Sequence, residues 1–177
     1  AMEESARARR GYFVAGLGAT QFALPGTEDR LRALREPPRD ARALVIAATD
    51  PANPYGAALP WPEAETGEGE AKKGRPQRAV GASVILCGGE LIGYLGRAEK
   101  DLLTFLPADE PEHGKAATAL AGALSTLVET GRRKTLLISR IDGAEAPASA
   151  LAPALAAAGF TGTSKGLFKR MAMRRRE

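Results

Sequence analysis

Between Thr49 and Pro62 the chain reads Thr49-Asp50-Pro51-Ala52-Asn53-Pro54-Tyr55-Gly56-Ala57-Ala58-Leu59-Pro60-Trp61-Pro62, with four prolines. Each proline fixes φ and lacks an N–H, so this stretch can be neither helix interior nor central strand. It directly follows an apolar run, Ala43 to Ala48, that reads as a buried strand, and it holds the only tryptophan and one of three tyrosines. The expected structure is an ordered loop held by its own side chains. Asp50 and Asn53 supply local hydrogen bonds, and the aromatics at both ends make a shaped surface.

The flanking sequence supplies the scaffold. Tyr12-Phe13-Val14 and Gln21-Phe22-Ala23-Leu24 read as two short strands around a glycine turn. Thr27 is placed to cap a helix with Glu28 and Asp29 in its first turn and an end before Pro37-Pro38. Ala79 to Cys87 and Glu90 to Gly96 flank Gly88-Gly89, which suits a tight hairpin, and Leu102 to Leu106 completes a three-stranded meander. Lys115 to Thr130 carries Leu120, Leu124, Leu127 and Val128 at helical spacing, with Gly131 as its C′ residue. A strand over 134–141 ending at Asp142-Gly143, a helix from about Ser149 to Gly159 and a last strand over 166–173 follow. The fold class expected is α+β, with a mostly antiparallel, curled or barrel-like β-sheet and two or three packed helices. Residues 1–10 read as a flexible lead-in opened by an Ala1-Met2 expression scar, 11–173 as one domain with a mobile insertion at 63–78, and 174–177 as a basic tail.

At 177 residues the chain can bury roughly 70% of its unfolded surface without help from metal or disulfide. Its single cysteine, Cys87, excludes an internal disulfide and a multi-cysteine zinc site, and suits a reducing, cytoplasmic setting. No apolar run approaches the ~20 residues that span a bilayer, and no signal-peptide core is present. Net charge is only +4, but the cations are clustered at Arg7, Arg9 and Arg10, at Lys72, Lys73, Arg75 and Arg78, at Arg132, Arg133 and Lys134, and at Lys165, Lys169, Arg170 and Arg174 to Arg176. That distribution suits an anionic partner, nucleic acid in preference to membrane.

Nucleotide motifs fail. Gly114-Lys115 lacks the earlier glycine of a phosphate loop, since Asp109 stands there, and Ala116 replaces the hydroxyl residue that would hold magnesium. Gly16-Leu17-Gly18 begins a dinucleotide fingerprint, but Gln21 occupies the third glycine position and a strand follows. His113, the only histidine, reads as a solvated loop residue with general-base duty as the alternative, and Cys87 as a buried small hydrophobe. Asp50 before Pro51 is a turn opener, with a catalytic carboxylate as the alternative. Tyr55 and Trp61 could anchor the loop or stack on unpaired bases, each such stack being worth about 1–3 kcal/mol. Arg132, Arg133 and Lys134 meet a helix's negative end, with phosphate contact as the alternative because three cations exceed that need, and Arg78, Lys169 and Arg170 join them as candidate nucleic-acid contacts. No metal-ligand pattern is visible.

The fourteen residues from Thr49 to Pro62 resemble the signature near the carboxyl end of Lhr-type proteins, large bacterial helicase-related enzymes of superfamily 2. Arg10-Gly11-Tyr12-Phe13-Val14 and Gln21-Phe22-Ala23-Leu24-Pro25-Gly26 are similar to the same region, in the same order. The resemblance implies a parent protein with an amino-terminal ATP-dependent DNA translocase and helicase. Its long carboxyl-terminal extension would consist of winged-helix modules and a β-barrel module, similar to DNA glycosylases of the AlkZ type. It implies DNA repair as the setting and binding of single-stranded or damaged DNA, packing on winged-helix modules, and self-association as local tasks. ATP and magnesium would belong to the parent's motor, with no cofactor in this region. Excision of uracil or an alkylated base is one alternative, with Asp50 the carboxylate in the best-matched motif, and an oligomerisation module without nucleic-acid contact is the other.

Overall fold

The computed structural model describes residues 7–16, 18, 20–35, 42–62 and 74–171. Its first elements stand apart. β1 (Arg9–Gly11) and β2 (Gln21–Ala23) form a two-stranded antiparallel sheet, and α1 (Thr27–Ala33) follows. The Gln21 amide ties the hairpin's connection, accepting from the Phe13 and Val14 N–H groups at 2.9 and 2.8 Å and donating to the Val14 carbonyl at 2.9 Å. Two expectations are corrected here. The first strand lies over residues 9–11, not 12–14, so Arg9 and Arg10 are structured instead of part of a frayed lead-in. The N-cap is Gly26 at φ 83°, with Thr27 already helical and making no capping bond. The expected Pro37-Pro38 stop, residues 63–73 of the insertion and the tail at 174–177 lie outside the described residues.

The main sheet is built from β3 (Leu44–Ala47), β4 (Ser83–Cys87), β5 (Glu90–Leu95), β6 (Asp101–Thr104) and, after α2 (Glu112–Glu129) and β7 (Thr135–Ile138), the short pair β8 (Arg140–Ile141) and β9 (Ala144–Glu145). Strand order is β3-β4-β5-β6-β8-β9, antiparallel except for β6 with β8. The sheet is therefore α+β and mostly antiparallel as expected, and its recorded pairing runs open from β3 to β9. The tight hairpin read at Gly88-Gly89 is present, and the turn read at Asp142-Gly143 proves to be a second one, joining β8 and β9. Gly88 and Gly89 have φ of 60° and 92°, and Asp142 and Gly143 have 51° and 86°, the paired positive angles that match strand twist.

Strand alternation divides the buried residues between the two faces. Ile85, Leu95 and Leu102 pack with the α2 side, while Val84, Tyr94 and Leu103 pack on the other. One irregularity breaks the period. Ile85 pairs with Gly93 and Leu86 with Leu91, so Ile92 is an extra residue in β5. This β-bulge puts Leu91 and Tyr94, three residues apart, on the same face. It also turns Gly93 toward α2, where a Cβ would lie 2.7 Å from Leu120 Cδ1, so glycine is what lets helix and sheet approach.

Helix α2 forms where Leu120, Leu124, Leu127 and Val128 recur on one stripe, all of them buried, each such side chain contributing about 1.5–3 kcal/mol. It ends at Gly131, with φ 75°, as read from the sequence. A second antiparallel sheet, β10 (Thr161–Thr163), β11 (Gly166–Arg170) and β7, shares the core on the helix's side through Leu136, Ile138 and Leu167. The expected strand over 134–141 is thus two strands in two sheets. Ser139 lies between them, and its N–H and that of Arg140 both donate to the Lys100 carbonyl, at 2.8 and 3.0 Å. The helix expected from Ser149 appears as a 3-10 turn at Ala146–Ala148 and α3 (Ala152–Ala157) with Pro153 in its first turn.

Candidate functional site

The proline-rich loop packs on the face of the main sheet opposite α2. Its backbone is tied from within. The Asp50 carboxylate accepts the Ala52 N–H at 2.8 Å, and the Asn53 N–H donates to the Asp50 carbonyl at 3.0 Å. Pro54's carbonyl accepts the N–H groups of Ala58 and Leu59, both at 3.0 Å. Asn53, 1% exposed, uses both ends of its amide. Its Nδ2 donates to the Ala48 carbonyl at 2.8 Å and the Tyr55 carbonyl at 3.3 Å, while its Oδ1 accepts the Tyr55 N–H at 3.1 Å. A buried amide with every partner in place fixes one loop conformation.

The aromatics face inward. Tyr55 and Trp61 stack with centroids 6.3 Å apart, and Trp61 meets Tyr94 edge-on at 5.8 Å. The Tyr55 hydroxyl accepts the Leu91 N–H at 3.2 Å, joining the loop to β5. Gly56, at φ 71°, lies under the indole, where a Cβ would stand 2.6 Å from Trp61 Cε2. Trp61 and Tyr55 are half-buried and part of the apolar cluster that includes Ala48, Val84 and Leu103. Both rings serve as anchors of the loop.

Arg78 is the external clamp. Its Nη1 donates to the Asn53 carbonyl at 2.7 Å and the Tyr55 carbonyl at 3.3 Å, and its Nη2 to the Asp50 and Thr49 carbonyls at 3.2 and 3.4 Å. One planar fork reaches four loop carbonyls, a role lysine could not fill. Residues 74–78 of the expected mobile insertion are held in this way, with Gln77 also accepting the Tyr94 hydroxyl at 3.2 Å.

The other basic candidates divide. Lys134 and Arg170 are exposed and close together, because Arg170 pairs with Thr135 and the Met171 N–H donates to the Lys134 carbonyl at 3.1 Å. Arg132, exposed in the preceding turn, donates to the Val45 carbonyl at 3.4 Å. Arg133 donates through Nε to Glu99 at 2.6 Å. Lys169 requires correction as a surface contact. It is 8% exposed, and its ammonium donates to Ser125 Oγ at 2.5 Å, the Ala158 carbonyl at 2.6 Å and Glu129 Oε1 at 2.7 Å. A buried ammonium persists because all three protons are accepted and because it caps the negative end of α3. Its hydrogen bond, followed by that from Ser125, pulls the Glu129 carboxyl below the ordinary glutamate range.

His113 is corrected too, lying in the first turn of α2 with Nδ1 2.8 Å from the Pro107 carbonyl. Burial, then Glu90, pushes the Cys87 thiol up, away from nucleophilic duty. Among the described residues no group of His, Cys, Asp or Glu is placed to hold a metal ion, and no helix is long and apolar enough to cross a membrane. Sequence reasoning missed a cleft lined by Arg75, Arg97 and Arg140. Arg97 and Arg140 stand outside every run of cations, and β-pairing alone brings them near one another.

With this geometry in place, the likeness to known proteins has structural meaning. A family model for the winged-helix domain of large helicase-related protein matches residues 1–43, the stretch containing the separate hairpin and α1. The chain is 43% identical over 176 residues to a Mycolicibacterium smegmatis protein described as Lhr helicase/probable uracil glycosylase, covering 93% of this chain. It is 32% identical over 169 residues to an Escherichia coli protein described as Lhr helicase/uracil glycosylase, covering 94% of this chain. It spans 11% and 10% of the length of those relatives. The likeness covers more than nine-tenths of the chain, and the chain belongs to the carboxyl-terminal region of the Lhr-type large helicase-related proteins.

Proposed function

We propose that this chain serves an Lhr-type helicase as an accessory module in DNA repair, engaging single-stranded or damaged DNA and packing against winged-helix modules of the same protein. The observation that carries the reading is the continuous likeness to two Lhr proteins over more than nine-tenths of the chain. The exposed face of the amino-terminal segment supports the packing half. Tyr12, Phe22, Leu24 and Leu34 are 62–84% exposed, and α1 buries no residue. Such a face supports packing against the rest of a winged-helix fold, whose family model matches residues 1–43. The exposed Arg132, Lys134 and Arg170 support the DNA half. ATP and magnesium belong to the parent's motor in this reading, the compartment is the cytoplasm, and the bulged sheet is the family's barrel module with its curl made at Ile92.

Labelled single-stranded oligonucleotides titrated with the chain across a salt series test it. Binding should weaken linearly in log salt, and Arg132→Glu with Lys134→Glu should remove most of it. Salt-independent binding, or none, rejects the DNA half. Light scattering over a concentration range separates packing within one protein from self-association.

The names of both relatives favour a second reading, participation in uracil excision. In that reading Asp50 polarises water at an extruded base. The Asp50 carboxylate is engaged with the Ala52 N–H, an arrangement asparagine can reproduce through its own Oδ1. Uracil-containing strands incubated with the chain and with Asp50→Asn discriminate. Abasic product from the first and not the second makes Asp50 catalytic, and equal product from both makes it a loop cap.

A further inference from the structure

We infer that the cleft between residues 74–77, the β5–β6 turn and the β8–β9 hairpin binds a phosphate group of a nucleic-acid strand, at a site separate from the basic turn at 132–134. The inference rests on the DNA-engaging reading above and adds to it a place and a chemistry. The cleft has a volume of about 580 Å³, within the range of sites that take small ligands. Arg75, Arg97 and Arg140 line it from three separate segments.

The charges do not cancel. Arg140 donates through Nε to Asp101 at 2.6 Å, which raises its pKa further, and stands opposite Glu145 in the β8–β9 register. Asp101, which also lines the cleft, offsets Arg140 and holds its side chain in place. Glu99, the acid nearest Arg97 in sequence, is instead bonded to Arg133 at 2.6 Å. Arg75 and Arg97 have no side-chain partner among the described residues, so the cleft keeps a positive excess.

The walls favour a bound anion. Leu102, Leu103 and buried Tyr94 form apolar backing, which strengthens the field of the arginines above it. Tyr94 donates to the Gln77 carbonyl at 3.2 Å and so fixes the segment that carries Arg75. Gly96 and Gly143 leave the cleft without side chains at two points, so a ligand can approach the backbone there. Planar guanidinium forks on an anchored frame match the oxygens of a phosphate.

Fluorescence anisotropy of a labelled oligo-dT strand provides the test, using the whole chain, Arg75→Glu/Arg97→Glu and a control of equal charge change, Lys115→Glu/Lys165→Glu. The cleft variant should lose about tenfold or more in affinity, and the control less than about threefold. Arg97→Gln, in an exposed turn, should show part of the loss if the double variant folds poorly. Equal losses in cleft variant and control mean that overall charge explains binding and overturn the site. Strand binding that survives both cleft substitutions overturns the site while leaving the DNA-engaging reading intact. No strand binding by the unaltered chain at low salt overturns both. Inorganic pyrophosphate, added to the unaltered chain and to the cleft variant in thermal melts, separates the remaining source. If it stabilises only the former while strands are ignored, the ligand is a free phosphate compound and the nucleic-acid assignment falls.

Discussion

Replacing Arg78 by alanine should release the proline-rich loop without unfolding the chain. Of the four carbonyls reached, those of Asn53 at 2.7 Å and Asp50 at 3.2 Å lie at good hydrogen-bond distance, while Tyr55 at 3.3 Å and Thr49 at 3.4 Å add little. A bond from a charged donor is worth about 1.5–3 kcal/mol when closed to water. Arg78 is half-buried, so water replaces part of that, and the sum comes to about 2–3 kcal/mol. For a chain of this size that is a fall in Tm of about 4–12 °C. Trp61 is the only tryptophan, so its emission reports the loop directly and should move to the red. Arg78→Met, which keeps the apolar stem, should fall nearly as far, and Arg30→Ala on exposed α1 should stay within about 0.5 kcal/mol.

The same variant settles what Arg78 is for. A phosphate contact would lower the slope of log affinity against log salt by about one, whereas an internal clamp leaves the slope unchanged. If Arg78→Ala melts within about 1 °C of the parent with unmoved tryptophan emission, the clamp argument is wrong. A reduced salt slope in that protein would return Arg78 to the DNA-contacting set.

Other perturbations test the remaining joints. Gly56→Ala forces a side chain into a φ of 71° and against the Trp61 indole, so it should cost about 2 kcal/mol or more and shift tryptophan emission; a neutral melt would show that the ring is loosely held. Gly93→Ala meets Leu120 Cδ1 at 2.7 Å and should cost about 1–3 kcal/mol, partly recovered by Leu120→Val; additive losses in that double variant would refute the close approach. Glu129 has a lowered folded pKa, so its stabilising contribution is complete above the unfolded value of about 4.3 and is lost as pH falls through the folded one. Carbon NMR titration should find the Glu129 carboxyl below the ordinary range and returned to it in Lys169→Met, and no change between the two would remove Lys169 as the cause.

Local signals were legible where one element decides its own geometry. The α2 stripe, its Gly131 terminus, the Gly88-Gly89 hairpin and the turn at Asp142-Gly143 needed only spacing and glycine placement. The division at Ser139 was not legible, because Leu136, Ile138 and Ile141 look like one apolar strand and all enter the same core. What divides them is the Lys100 carbonyl, remote in sequence, accepting two consecutive N–H groups. The amino-terminal hairpin was displaced toward Tyr12-Phe13-Val14 because aromatic residues raise strand propensity, yet Tyr12 and Val14 are exposed at the hairpin's connection. In the loop, the proline pattern foretold an ordered structure held by Asp50 and Asn53. The partner that completes it, Arg78, looked from sequence like one more cation in a basic stretch.

That substitution of roles extends to the whole basic set. A run of Lys and Arg in sequence raises local charge, but a cation near acceptors is drawn into the fold before any ligand arrives. Arg78 is taken by carbonyls, Arg133 by Glu99 and Lys169 by Ser125, Glu129 and the end of α3. Period-two geometry carried a hint for Lys169, since it shares a strand face with buried Leu167. The same engagement works in reverse at Glu99, two residues from Arg97, whose bond to Arg133 draws it to the other side. An ion pair on one side of the β5–β6 turn therefore leaves a positive charge on the other. Breaking it with Arg133→Gln frees Glu99 to answer Arg97, so binding at the cleft should weaken although the substituted residue does not line it. Unchanged strand affinity in Arg133→Gln, alongside a loss in Arg97→Gln, would show that the two sides of the turn are electrostatically independent.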